Sequence, residues 1–214
     1  MTKLTEVAYV TGGASGIGRA FAETLIPKGY HVFIANVNIT LSQSVCSTLN
    51  TSSPAKLAHC AHVDLSNWKP QKTAFQQTVD VFGRIDFVVP VVRISKNPIL
   101  PEVSEGVVEP NLTVLDVDLK GVFAIVAFIR TYGALAPSSS SITLNAVCPN
   151  TIRTAIGNPA CYAAPEGLNL IVPMKNVMAA FEHMLEISES VMVWECAPGT
   201  EEKFMMREGL EHWN

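Results

Sequence analysis

Short apolar runs alternate along the chain with segments whose apolar residues recur every three or four positions. The short runs predict β-strands, and the longer periodic segments predict helices. The predicted strands are residues 7–10, 31–35, 57–63, 87–92, 142–147 and 191–195, and the predicted helices are 19–27, 40–49, 71–82, 111–135 and 174–187. Apolar strands that alternate with helices are typical of a parallel sheet covered on both faces. We therefore expect an α/β protein with a doubly wound parallel sheet.

Composition limits the classes of partner. The 214 residues are 48% hydrophobic and 16% charged, which predicts one globular domain spanning residues 1–214. A net charge of -4 disfavours nucleic acid as a partner, because no basic surface would hold its phosphates. The chain has no apolar run of about 18 residues and no signal-like start, so we expect neither a membrane span nor export. Five cysteines without a C-x-x-C pair predict reduced thiols and a cytoplasmic location.

The clearest chemical signal is TGGASGIG at residues 11–18, between the first strand and the first helix. Gly12 suits a tight turn, Gly16 leaves room for a pyrophosphate, and Gly18 lets the helix pack close to the strand. The N-terminus of the following helix offers N–H groups and a positive dipole end to phosphates. The segment therefore predicts a dinucleotide-binding site.

This spacing, T-G-x-x-x-G-x-G, resembles that of the short-chain dehydrogenases/reductases, and the resemblance extends over nearly the whole chain. Asp64 stands where the family contacts adenine, and residues 145–154 resemble the segment that covers the nicotinamide. Residues 174–186 resemble a helix of fungal members related to 15-hydroxyprostaglandin dehydrogenase. The resemblance implies a Rossmann-type fold and NAD or NADP as cofactor. The cofactor-binding residues it implies are Thr11, Gly12, Ser15, Gly16, Ile17, Gly18, Asn36, Asp64, Pro149, Thr151, Ile152 and Thr154.

The family's proton chemistry needs a tyrosine with a lysine four residues later. On a helix these two positions face the same way, so the ammonium can lower the pKa of the phenol. The tyrosines here are at 9, 30, 132 and 162, and none has a lysine four places on. The sequence thus lacks the central pair of the family's catalytic tetrad.

A junction inside the predicted helix 111–135 accounts for this absence. Residues 117–123 resemble the start of the helix after the family's fourth strand, with Asp118 where a relay asparagine is expected. Residues 124–131 resemble the segment just after Tyr-x-x-x-Lys, one helix later. The fifth strand, the serine, the tyrosine and the lysine would lie in the missing interval. We expect one strand and one helix fewer than the family, with the strand at 142–147 beside the strand at 87–92.

A few other side chains are candidates for the proton transfer that the missing tyrosine and lysine would perform. Tyr162 and Asp118 are the candidates for catalysis, whereas Tyr132 fits a packing role on the long helix. His59 and His62 lack a second pair of ligands, so no metal site is predicted. The serines at 138–141 predict a turn.

Three further departures from the family pattern concern the cofactor site. Asn36 replaces the aspartate by which NAD-preferring members bind the ribose hydroxyls, so it lacks the charge that would repel a 2′-phosphate. Residues 90–93, PVVR, stand in place of the family's N-N-A-G. Asn150 replaces a glycine, which asparagine tolerates because it visits left-handed backbone readily.

Three hypotheses of function remain. The first is an NAD(P)-dependent oxidoreductase that acts on an alcohol or ketone of a lipophilic secondary metabolite, with little turnover expected from a chain without the tetrad. The second is a non-redox role, as a cofactor-binding pseudoenzyme or an isomerase or cyclase. The third is that the printed sequence omits an internal segment that the cell's protein carries. The partner expected is a small lipophilic molecule, and any homo-oligomer would have an altered family interface.

Overall fold

The computed structural model describes residues 5–51, 56–94, 111–135, 142–157, 160–187, 193–196 and 205–206. The chain divides into two compact units, Met1–Thr131 and Tyr132–Asn214. Each unit has its own sheet. The predicted serine turn at 138–141 lies outside the described residues.

The first unit alternates strand with helix, as the hydrophobic pattern predicts. Its strands are β1 Val7–Thr11, β2 His31–Asn36, β3 Ala58–His62 and β4 Phe87–Pro90. Its helices are α1 Gly16–Leu25, α2 Ile39–Thr51 and α3 Trp68–Phe82, followed by a π-helical turn Leu115–Gly121 that continues into α4 Val122–Leu135. The strands pair in parallel in the order β3-β2-β1-β4. This arrangement confirms the Rossmann-type parallel sheet.

The order of strands reverses at β1. The chain adds β2 and β3 on one side of β1 and then returns to place β4 on the other side. Because the strands are parallel, the residues that follow Thr11, Asn36, His62 and Pro90 leave the sheet at the same edge. A crevice at such a reversal is where open α/β sheets bind their ligands.

An aromatic cluster covers one face of this sheet. Tyr9 on β1 stacks between Phe33 of β2 and Phe75 of α3, with ring centroids 5.8 and 4.4 Å apart. Phe128 of α4 packs on Phe75 at 5.1 Å, and Ile125 is fully buried in the same cluster. Residues beyond the junction at 123–124 therefore belong to the core of the first unit, which explains how a continuous helix forms across it.

The π-helical turn precedes that junction and contains Gly121. A Cβ on Gly121 would lie 2.6 Å from the carbonyl oxygen of Leu65, closer than atoms can approach. The glycine thus permits the helix to touch the loop after β3. The predicted single helix over 111–135 is continuous from this turn onward, but its first part is wider than an α-helix.

The second unit contains β5 Ala146–Pro149, α5 Ala160–Gly167, α6 Met174–Glu186, β6 Val193–Cys196 and β7 Met205–Met206. β5 pairs with β6 in parallel, and β7 pairs with β6 in the antiparallel sense. Helix α5 was not predicted, because it is short and contains Pro165. The second unit thus contributes a small sheet with two helices.

The predicted placement of the strand near 142 beside the strand near 87 would join the two units, and it stays a prediction. In the described residues, β5 pairs with β6 in a separate sheet, and β4 pairs with β1. Both β4 and β5 have four residues and end in a proline, Pro90 and Pro149, which lacks an N–H group. Such strands offer few donors for an additional ladder.

Candidate functional site

The turn after β1 has a backbone that only glycine adopts easily. Gly12 has φ +66° and Gly16 has φ +53°, both in the left-handed region. A Cβ on Gly12 would also lie 3.0 Å from the carbonyl oxygen of Val91 and 3.2 Å from a methyl group of Val92. The predicted tight turn is therefore required by both backbone geometry and close packing.

Gly18 brings α1 against this turn. A Cβ at Gly18 would lie 2.6 Å from the carbonyl oxygen of Gly12. Gly13 is also confined, with the side chain of Ile34 about 3.1 Å from its Cβ position. These contacts place the first turn of α1 directly behind the glycine-rich loop.

The N-terminus of α1 is open to an anion. Ser15 is the N-cap in an extended conformation, yet its side chain makes no capping hydrogen bond. The first turn of α1 carries no acidic residue, and Ile17 is half-buried there. Because the first N–H groups of a helix lack intrahelical partners, they can donate to phosphate oxygens. The loop and helix together fit a pyrophosphate.

Asn36 ends β2 beside this loop. Its Oδ1 accepts a hydrogen bond from the Asn38 N–H at 2.9 Å, and the Oδ1 of Asn38 accepts from the Leu41 N–H at 3.0 Å. The second bond caps the start of α2. The amide of Asn36 is therefore held by a local turn with its oxygen engaged and its NH₂ group as the available donor.

Asp64 follows β3 and closes a similar local turn. Its Oδ1 accepts from both the Ser66 N–H at 2.9 Å and the Ser66 hydroxyl at 2.7 Å. The Val63 N–H donates to the Asn36 carbonyl at 3.0 Å, so the two predicted adenosine-side residues leave adjacent strands side by side. Both lie on the edge of the sheet that carries the glycine-rich loop.

Thr11 has a structural role that sequence reasoning missed. Its side chain is fully buried, and its hydroxyl accepts a hydrogen bond from the Val91 N–H at 3.1 Å. The bond holds the segment after β4 against the end of β1. No local pattern signals this bond, because its two partners are 80 residues apart in the chain.

Asp118, the candidate relay residue, holds the same segment from the helix side. Its Oδ1 accepts from the Ile94 N–H at 3.0 Å. Burial raises the pKa of the Asp118 carboxyl, although the Ile94 N–H and the nearby Arg93 oppose the shift. Its observed contact is with backbone rather than with a tyrosine or lysine.

Four of the predicted cofactor residues lie in the second unit, Pro149 at the end of β5 and the other three after it. The Thr151 carbonyl accepts from the Val172 N–H at 2.8 Å, and Ile152 is buried. Thr154 contacts Tyr162, and Pro149 lies opposite Cys196 in the β5–β6 ladder. The other eight predicted residues are brought together in the first unit. That both groups serve one cofactor remains a prediction.

Tyr162, the candidate proton donor, is anchored by Thr154. Its hydroxyl accepts from the Thr154 N–H at 3.1 Å and donates to the Thr154 carbonyl at 2.8 Å. The Thr154 N–H is the main cause of a lowered pKa at this phenol. Arg153 lies 5.0 Å from the ring centroid and pairs with Glu166. A role in proton transfer would require the hydroxyl to leave Thr154.

The two histidines of the third strand occupy different places. His59 packs edge-on against Phe82, and burial lowers its pKa. His62 lies at the exposed end of β3 and lines an open groove of about 520 Å³ together with Lys69 and Thr73 of α3. This groove shares no residue with the glycine-rich loop. No helix in the described part of the chain is both long and apolar enough to cross a bilayer.

A glycine-rich turn at the reversal point of a parallel sheet, with a helix N-terminus behind it, is typical of the dinucleotide-binding α/β proteins. The profile of the short chain dehydrogenases matches residues 6–132, more than half of the chain. This chain belongs to the short-chain dehydrogenase family.

Individual proteins show the same likeness. The chain is 35% identical over 120 residues to (+)-borneol dehydrogenase 2 of Salvia officinalis, covering 56% of this chain and 41% of that protein. It is 27% identical over 186 residues to the human NAD(+) 15-hydroxyprostaglandin dehydrogenase, covering 71% and 70%. A 3-ketoacyl-(acyl-carrier-protein) reductase from Brucella melitensis complexed with NADH has the same fold, with a TM-score of 0.68, 14% identity, and coverage of 91% and 97%. The match to the borneol dehydrogenase spans about two fifths of that relative's length.

Proposed function

We propose that this chain binds a nicotinamide dinucleotide, with the pyrophosphate at the glycine-rich loop and the N-terminus of α1. The observation that carries the proposal is the turn in which Gly12 and Gly16 adopt positive φ and Gly18 brings α1 against Gly12. A nicotinamide cofactor supplies or accepts a hydride when bound. The residues of this chain would bind and orient it.

The end of β2 supports acceptance of both NAD and NADP. Asn36 carries no charge, so it does not repel a 2′-phosphate as an aspartate would. Its oxygen is engaged by Asn38, which leaves NH₂ donors for a ribose hydroxyl or a phosphate. We therefore expect the chain to bind NAD and NADP with similar affinities.

The substrate class proposed is an alcohol or ketone of a lipophilic secondary metabolite. The named relatives support it, because borneol and hydroxyprostaglandin are both hydroxylated lipophilic compounds. Exposed apolar side chains after α5 agree with a lipophilic ligand, with Leu168 at 69% and Leu170 at 38% exposure. A small molecule is thus the proposed partner, and the cytoplasm the proposed location.

Turnover by this chain is expected to be slow. No tyrosine has a lysine four residues later, and general acid–base catalysis contributes roughly 10²- to 10⁴-fold. The hydroxyl of Tyr162 is engaged by Thr154, and Asp118 is engaged by the Ile94 N–H. A non-redox role is therefore the second candidate. It is favoured because the chain keeps the glycine-rich cofactor loop but has no Tyr-x-x-x-Lys.

Self-association through a changed surface is also proposed. Leu112, Leu115, Leu119 and Phe123 are 49%, 39%, 57% and 70% exposed. Their spacing places them along one side of the π-helical turn and α4. An apolar stripe of this kind favours contact with another apolar surface. The single-domain organisation of residues 1–214 stays a prediction.

The cofactor site can be tested with Ser15→Glu. Ser15 is exposed and its side chain caps nothing, so the change adds a carboxylate at the phosphate site without removing a contact. Repulsion of about 1–2 kcal/mol would weaken NADH and NADPH binding by roughly 5- to 30-fold. The measurement is a titration of each reduced cofactor, followed by nicotinamide fluorescence.

Ser44→Glu is the matched control, because Ser44 is an exposed serine in the middle of α2. Its affinities should equal those of the unchanged chain. If neither cofactor binds the unchanged chain, or if both variants bind equally well, the proposed site is wrong. Turnover of a ketone panel with NADPH is measured separately, and turnover as fast as that of an intact family member would contradict the expected loss of proton chemistry.

A further inference from the structure

A reciprocal pair of hydrogen bonds fixes α2 on β3. The Asn50 side-chain NH₂ donates to the Ala58 carbonyl at 2.9 Å, and the Ala58 N–H donates to the Asn50 Oδ1 at 2.9 Å. Asn50 lies in the last turn of α2, and Ala58 is the first residue of β3. The end of the helix and the start of the strand are thus held in one register.

That register places Cys46 beside Cys60. Cys46 lies four residues before Asn50, about 6 Å back along the helix, and Cys60 lies two residues after Ala58, roughly 7 Å along the strand. Because a helix between parallel strands runs opposite to them, these two displacements point the same way. Besides burial, the neighbouring Cys60 thiol raises the pKa of Cys46, so the two groups interact.

The alternation of side chains along β3 agrees with this placement. His59 faces α3, where it packs on Phe82. Cys60, the next residue, therefore points to the opposite face, which α2 covers. Cys46 is buried and Cys60 is half-buried, so the pair is reachable from the Cys60 side.

Two cysteines of the second unit also lie on neighbouring strands, but in a different geometry. Cys148 and Cys196 lie on the paired strands β5 and β6, but the register matches Cys148 with Glu195 and Pro149 with Cys196. Residues one step out of register point to opposite faces of a sheet. Cys148 is exposed and Cys196 is buried, as this geometry requires. The register therefore directs the two side chains to opposite faces of the ladder.

We propose that Cys46 and Cys60 are an oxidation site that forms a reversible intramolecular disulfide when the protein meets a peroxide. The Cys60 sulfur attacks the O–O bond of hydrogen peroxide, which yields a sulfenic acid and one water. The Cys46 sulfur then displaces the sulfenic oxygen, which leaves as a second water. Two thiols lose two electrons in total, and the peroxide gains them.

The order of the two steps follows from burial. Burial raises the pKa of Cys46 to about 12, so this thiol is a poor first nucleophile. Cys60 is more exposed and meets the oxidant first. The site does not depend on cofactor binding, because the packing of α2 on β3 alone positions the two sulfurs.

The test is peroxide treatment of the full, folded chain, followed by thiol titration under denaturing conditions and a tryptic map without reductant. Cleavage after Lys56 separates the two cysteines into peptides 29–56 and 57–72. We expect two fewer thiols than the five of the reduced chain, a linked 29–56/57–72 peptide, and full recovery with dithiothreitol. Cys148→Ser is the control, and it should form the same linked peptide.

In Cys46→Ala, Cys60 should instead carry a sulfenic acid that dimedone traps, and the linked peptide should vanish. A map of the oxidised unchanged chain in which peptides 29–56 and 57–72 stay separate would overturn the proposal, whatever the fate of the variants. A dominant link that involves Cys148 or Cys196 would also overturn it. The tryptic map of the unchanged chain tests the proposed disulfide even if Cys46→Ala does not fold.

Discussion

Replacing Thr11 by valine would remove one buried oxygen while leaving the shape of the side chain nearly unchanged. The hydroxyl of Thr11 accepts the Val91 N–H at 3.1 Å, and this bond joins the end of β1 to the segment after β4. Valine retains the branched packing but leaves the Val91 N–H without its acceptor. A fully buried orphaned donor costs about 1–3 kcal/mol. The Val91 N–H is only partly buried, so we expect Thr11→Val to lower the free energy of unfolding by about 1–2 kcal/mol, the lower part of that range.

Thr78→Val makes the same chemical change at an equally buried site. The Thr78 hydroxyl only donates to the Ala74 carbonyl at 2.8 Å, within α3. That carbonyl also accepts the helical backbone bond, so valine orphans no donor. We expect this control to lower the free energy of unfolding by at most about 1 kcal/mol.

Urea denaturation of the full chain, followed by far-UV circular dichroism, measures both changes at a common slope. Thr11→Val should also weaken cofactor binding, because Val91 and Val92 pack directly on Gly12 in the glycine-rich loop. If Thr11→Val is no less stable than Thr78→Val, the hydrogen bond to Val91 does not hold this segment and the reasoning is refuted.

Three other changes address the helix that crosses the junction. Gly121→Ala should lower the free energy of unfolding by about 1–3 kcal/mol in the same urea assay, because its Cβ would meet the Leu65 carbonyl. Gly167→Ala is the control and should not lower it, because the Cβ position of Gly167 has no atom within 4 Å. Equal effects of the two changes would contradict the close contact at Gly121. Asp118→Asn should flatten the pH dependence of stability, because burial raises the Asp118 pKa and the folded carboxyl keeps its proton to a higher pH than the unfolded one. Stability is thus lost as pH rises from the ordinary carboxyl pKa through the raised value, and an unchanged slope in urea titrations across acidic pH would exclude Asp118 as the cause. Phe123→Lys, at a 70% exposed position, should change the free energy of unfolding by less than about 0.5 kcal/mol and reduce self-association measured by sedimentation velocity. The control Ser44→Lys should change neither quantity. If Phe123→Lys associates as strongly as the unchanged chain, the apolar stripe is not the contact surface.

The parallel α/β arrangement and the glycine-rich loop could be predicted because their causes are local. The strand is followed by Gly12 and Gly16, whose positive φ values only glycine adopts easily, and by Gly18, whose missing side chain lets α1 pack on Gly12. The parallel pairing of β1 to β4 likewise follows from apolar runs separated by helical periodicity. These features depend on neighbours within a few residues, which the sequence states directly.

Other features depend on partners far away in the chain and emerged only from tertiary structure. The hydroxyl of Thr11 accepts from Val91, 80 residues away, and a glycine is required at 121 by the Leu65 carbonyl. The pairing of β5 with β6 likewise joins residues more than 40 positions apart, which no local pattern specifies. The sequence by itself determined the loop that receives a dinucleotide and the absence of Tyr-x-x-x-Lys. Tertiary packing decided that the Thr11 hydroxyl accepts from Val91, because that bond needs the fold to bring together residues 80 positions apart, whereas local turns engage the oxygens of Asn36 and Asp64.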